Sequence, residues 1–137
     1  YQALETGVVD GTENPPSNMY TQKMHEVQKY ANVSNHGYLG YAVIVNKKFW
    51  EDLPVDIRAG LDKAMKEATV YANEVAGKDN EDALAAMKAS GKTEFFQPTA
   101  AERAALCEAM KPVYEQMSDR VGKDLIASIQ KEAAAAK

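Results

Sequence analysis

Imidazole and thiol groups, able to move a proton near neutral pH or to hold zinc, are few in this sequence: two histidines, His25 and His36, and a single cysteine, Cys107. Zinc sites draw on closely spaced His, Cys and carboxylate ligands, in frames such as His-x-x-x-His or His-Glu-x-x-His. Neither frame occurs, and no thiol lies beside a histidine, so no metal and no cofactor is expected. A hydrolytic serine needs the strained Gly-x-Ser-x-Gly elbow, which is missing, as are the glycine loops that cradle phosphate. Ser34 in "SNH" stands close to His36, but alternation of side chains along an extended segment weighs against a Ser–His pair. The enzymatic reading reduces to His36 as a general acid or base with Asp10 or Glu13.

Binding asks less of a sequence, because it needs only donors of fixed geometry. Asn14, in "ENPP", stands where the start of a helix favours an anion; the same position suits a plain N-cap. In "NHGYLGYAVIV", His36 and Tyr38 offer N–H and O–H groups able to close on a carboxylate, or to serve structure alone. Asn14, His36 and Tyr38 are therefore the candidate ligand-binding residues.

These donors must be carried by a scaffold. A chain of 137 residues, 45% hydrophobic and 26% charged, has the composition of one folded domain that buries roughly two thirds of its unfolded surface. A net charge of −4 with interspersed Lys and Arg excludes nucleic acid as the expected partner and disfavours anionic membrane surfaces. Cys107 alone permits no intrachain disulfide, and a small buried hydrophobe is expected there. No apolar run of about 18 residues occurs, so no membrane-spanning helix is expected. The first residue is Tyr1 and not Met, which suggests a piece of something longer.

The pattern predicts a mixed α/β lobe. A helix remnant ends at Gly7, and Asn14 with Pro15 opens a helix to about Val27. "YANVS" and "YLGYAVIVN" read as neighbouring strands, the second buried on both faces through Ala42 to Val45. Asn46 caps a short helix whose Phe49, Trp50 and Leu53 can pin it to the sheet. A long helix near 54–90 follows, with Ile57, Leu61, Met65, Ala68, Ala72 and Val75 on one stripe and a stop at Ser90-Gly91. Its length suits a spine that bridges two lobes or packs along both. "KTEFFQP" is a third strand, and Thr99 with Glu102 forms a capping box for the next helix, which Pro112 is expected to kink. "KDLIASIQKEAAAAK" closes the chain as an amphipathic helix with an alanine tail.

The stretches "ALETGVVDGTENP" and "YTQKMHEVQKYANVSNHGYLGYAVIVNKKFWEDLP", with Lys111-Pro112-Val113-Tyr114 further on, resemble the second half of the DctP-type solute-binding proteins that serve TRAP transporters. The resemblance covers essentially all of residues 1–137. It implies a helix-rich C-terminal portion of a type II-like periplasmic binding protein: no enzyme, but two α/β lobes closing around an organic acid. A four-carbon dicarboxylate such as malate, succinate or fumarate is implied by the "HGYLGY" wording. The implied partners are the acid anion, the TRAP membrane subunits and a missing N-terminal portion. It further implies that the Asn14 amide meets the ligand carboxylate, that His36 lines the pocket, and, more loosely, that Tyr38 joins it. The family's carboxylate-bridging arginine is expected upstream, since Arg58, Arg103 and Arg120 do not match its motif. Thr12 stands where many relatives have Gln, which touches the support of the Asn14 turn. Two other classes stay open on the residues alone: a small enzyme using His36, and a helical interaction module built on the long spine.

Overall fold

Local signals set most helix ends in the computed structural model, which describes residues 1–135 and divides into two units, Tyr1–Phe96 and the residues from Gln97 onward. The alanine tail's Ala136 and Lys137 lie outside the described residues. The mixed, helix-rich α/β expectation holds.

In the first unit, α1 (Gln2–Glu5) stops before Gly7, whose φ of +71° is costly for any residue with a Cβ. The helix expected from Pro15 to Val27 is shorter. The Pro16–Thr21 helix, α2, takes Pro15 as its N-cap, and Lys23 at φ 56° interrupts the ladder before a 3-10 turn over Met24–Glu26. Asn14 is thus not the N-cap.

The long helix is as expected: α4 runs from Val55 to Ser90 after a short α3 (Lys47–Asp52), and Gly91 ends it in the left-handed conformation. Asn46 caps α3, accepting the Phe49 N–H at 3.0 Å. Phe49 itself is exposed and pins nothing to a sheet. The last turns of α4 bury Ala83 and Met87, and Leu4, His25 and Thr93 are the other buried residues of the first unit. With Pro98 in the second unit these are the buried positions among the described residues, far fewer than a well-covered domain of this length supplies.

The sheet has two strands, β1 (Tyr30–Asn32) and β2 (Glu94–Phe96), paired in parallel with Tyr30 opposite Glu94 and Asn32 opposite Phe96. A parallel pair needs a long crossover, and residues 33–93, including α4, provide it. The pairing extends past the strand ends, through Glu94 N–H to Lys29 O and Val33 N–H to Phe96 O, both at 2.9 Å.

The sequence reading is wrong about "YLGYAVIVN". Residues 33–46 form no strand, and the expected pairing of this run with β1 is replaced by β2. Tyr38, Val43 and Ile44 are 92%, 79% and 89% exposed, so neither Tyr38 nor the Ala42–Val45 run packs in a core. Tyr41 is likewise exposed. The physical reason is a missing lattice of partners: a strand buried on both faces requires neighbours at its edges, and among the described residues none pairs with this run.

The second unit holds α5 (Ala100–Ala109), α6 (Lys111–Val121) and α7 (Lys123–Ala135). The capping box forms in full: Thr99 Oγ1 accepts from Glu102 N at 3.3 Å, and Glu102 Oε2 accepts from Thr99 N at 2.8 Å. The Thr99 N–H and then the Thr99 hydroxyl, each donating to Oε2 at 2.8 Å, favour the charged carboxylate and hold Glu102 below the usual range. Pro112 does not kink one helix but starts another. Met110 ends α5 and opens α6, and Pro112 falls in the first turn, where a missing N–H has no partner to lose. Cys107 is exposed, contrary to expectation, because α5 buries no residue among those described.

Candidate functional site

The Asn14 and His36 segments both belong to the first unit. Thr93 supplies its central tie: its hydroxyl donates to His25 O at 2.5 Å and lies 2.9 Å from Gln28 O. His25 is buried against Tyr20, ring centroids 5.5 Å apart and planes 25° from parallel. Its Nδ1 has no protein partner. Lys92 Nζ bonds Glu26 Oε1 at 2.9 Å, and that bond holds the Glu26 carboxyl below its usual range. These contacts fasten the 3-10 turn to the start of β2.

From that base the chain leaves β1 toward His36 in three steps. Val33 is tied to Phe96, Ser34 N–H turns back to Asn32 O at 3.0 Å, and Asn35 adopts φ 46°. Asparagine is among the few residues that enter this region at modest cost. The turn brings Ser34 Oγ to 2.7 Å from His36 Nδ1. Alternation along an extended segment separates adjacent residues, whereas Ser34 and His36 stand two apart, so the pair expected not to form does form. The other face of the ring meets Glu13: His36 Nε2 lies 3.9 Å from Glu13 Oε1, with both side chains about three-fifths exposed.

Asn14 follows Glu13 in the same turn and is half-buried. Its Nδ2 donates to Thr12 Oγ1 at 3.0 Å and approaches Met24 Sδ at 3.7 Å. Thr12 therefore does support this turn. The thioether is a weak acceptor, so the N–H aimed at it is the one most easily surrendered to an anion. The expectation of an anion site at the start of α2 fares less well: the Ser17 N–H already bonds Asn80 Oδ1 at 3.1 Å, from α4. Asn80 is in turn held by its own Nδ2 donating to Ala76 O at 2.9 Å. No local signal points to Asn80, which is 63 residues away from Ser17 along the chain.

The structure thus brings the turn before Asn14 to His36 through Glu13 and adds Ser34. Tyr38 stands apart from both, its ring folded over Gly40, where a Cβ would lie 2.9 Å from Cε1. Gly37 has open space around it, and the missing Cβ at Gly40 leaves room for the Tyr38 ring. Ser34, His36 and Glu13 do not make a hydrolytic triad: the carboxylate is beyond hydrogen-bond reach and the group is open to water. Among the described residues, no His, Cys, Asp and Glu cluster suits a metal ion.

Comparison with known proteins gives concordant results. The family model for DctP, bacterial extracellular solute-binding protein, family 7, matches residues 1–120. The C4-dicarboxylate-binding periplasmic protein DctP of Rhodobacter capsulatus is 65% identical over 130 residues, which is 95% of this chain and 39% of that protein. Its counterpart in Shewanella loihica is 42% identical over 92% of this chain and 38% of its own length. Among solved structures, a TRAP periplasmic solute-binding protein from Sulfurospirillum deleyianum with bound succinate superposes with a TM-score of 0.80 at 46% identity. That match covers 95% of this chain and 43% of the other. One from Shewanella oneidensis, also with succinate, gives 0.85 at 35% identity, over 93% and 42%. The chain therefore spans about two fifths of the length of these relatives.

Proposed function

Since the chain belongs to the family of bacterial extracellular solute-binding proteins, family 7, we propose that it is the C-terminal portion of a periplasmic TRAP-transporter component that captures an organic acid. The ligand class is a four-carbon dicarboxylate such as succinate, malate or fumarate, handed on to the TRAP membrane subunits. The observation that carries this is the 65% identity to the Rhodobacter capsulatus C4-dicarboxylate-binding protein across nearly the whole chain. Binding without turnover is the role, with His36 a donor and not an acid/base catalyst.

The geometry supports the reading at Asn14 and His36. The two turns are linked through Glu13; His36 is largely exposed, and the Asn14 N–H held only by the Met24 thioether suits exchange with a carboxylate. Tyr38 joins the site only when the 38–45 run is fixed by residues this chain does not span. The same residues supply the main counter-charge and cover the exposed Val43, Ile44 and the apolar stripe on α4's first half. That half carries Ile57, Leu61 and Met65, all exposed. In the two-lobed protein α4 bridges the lobes or packs along them. No helix among the described residues is long and apolar enough to cross a membrane.

The test uses a chimera that joins this chain to the part of the Rhodobacter capsulatus relative lying outside the matched region. Succinate titration by calorimetry should show saturable binding. Asn14→Ala should weaken it by about 1–3 kcal/mol, the cost of an unmade buried hydrogen bond. Unchanged affinity removes Asn14 from the site, and absent binding in the parent chimera removes the dicarboxylate reading.

A further inference from the structure

A neutral imidazole carries one proton, and which nitrogen holds it decides whether the ring donates or accepts in a given direction. At His36 the two neighbours are unlike. Glu13's carboxylate, near Nε2 at 3.9 Å, can only accept or repel a lone pair. Ser34's hydroxyl, 2.7 Å from Nδ1, can rotate to donate. A proton on Nε2 satisfies both; a proton on Nδ1 turns the Nε2 lone pair toward the carboxylate.

We propose that Ser34 and Glu13 are positioning residues for His36, fixing its neutral ring as the Nε2–H tautomer and so keeping an N–H donor aimed at the place where a ligand carboxylate arrives. Asn35 makes this possible, since its left-handed φ of 46° swings Ser34 Oγ onto the ring edge. Glu13 stands there as an internal carboxylate: too far for a hydrogen bond, it leaves room for the ligand to take the donor. The consequence for binding rests on the proposed solute-binding role; the tautomer rests on the geometry alone.

Two-bond nitrogen–proton NMR correlations of the labelled 137-residue chain read the tautomer directly, at a pH about two units above the ordinary imidazole value of about 6.5. Wild type should show His36 protonated at Nε2. Ser34→Ala should populate both tautomers, and Ser34→Thr, which keeps the hydroxyl, should restore the original pattern. Glu13→Gln should relax the preference in the same direction as Ser34→Ala. Unchanged His25 signals in each variant certify that the fold is intact. An Nδ1–H ring in wild type, or a pattern indifferent to Ser34→Ala in a folded chain, overturns the proposal. In the chimera, Ser34→Ala should weaken succinate binding by about three- to tenfold, as expected for one misdirected hydrogen bond, while Ser34→Thr should not. Equal affinity of Ser34→Ala and wild type overturns the link to binding. A parent chimera that fails to bind succinate overturns the dicarboxylate reading, and the NMR pattern still decides the tautomer.

Discussion

Ile44 gives the sharpest contrast between this chain and the longer protein it is proposed to belong to. The side chain is 89% exposed here, so only about a tenth of its surface is removed from water. At about 1.5–3 kcal/mol for a fully buried aliphatic side chain, that tenth is worth about 0.2–0.3 kcal/mol. Ile44→Ala should therefore shift the stability of the 137-residue chain by no more than about 0.5 kcal/mol, the range of ordinary surface changes. Once residues outside this chain cover the 38–45 run, the same substitution removes a buried side chain and leaves a cavity, at a cost of about 2–5 kcal/mol. Urea unfolding of four proteins, the chain and the chimera with and without Ile44→Ala, measures both numbers from the shift in midpoint at constant slope. Loss of more than about 1 kcal/mol in the chain alone would mean that Ile44 is buried there. An unaffected chimera would mean that nothing covers the run.

Among the described residues Met87 is the one large side chain buried to 1% exposure, and Met87→Ala should destabilise the first unit by about 2–4 kcal/mol in the same urea experiment. Thr99→Ala should cost α5 about 1 kcal/mol of helix stability, seen as lost ellipticity at 222 nm by circular dichroism. Glu102 is held below its usual carboxylate range in the folded chain, so its contribution is present above the unfolded value. That contribution fades as pH falls through the folded value; the difference in helicity between wild type and Glu102→Gln should therefore shrink on acidification.

Features fixed by neighbouring residues were legible in the sequence. Asn46 and the Thr99–Glu102 box announce their helices because each cap bonds within three residues of itself, and Gly91 announces the end of α4 because few other residues adopt that conformation at low cost. Features set at a distance were not. β1 pairs with β2 across more than 60 residues, and Asn80 claims the Ser17 N–H from the far side of α4. Ala42 to Val45 and Cys107 carry the composition of buried segments, and composition says what a residue tolerates, not whether a partner is at hand. At the site, Asn14 and His36 drew notice by type alone. The Ser34–His36 contact depends on the left-handed turn at Asn35, which no alternation pattern announces.

The most direct test of the binding role is calorimetric titration of succinate into the 137-residue chain beside the chimera. Saturable heat in the chimera and none in the chain is the expected result, because the proposed site draws only donors from Asn14 and His36 and takes its main opposing charge from residues this chain does not span. Micromolar binding by the chain alone, or a chimera that folds and takes up no succinate, would contradict it.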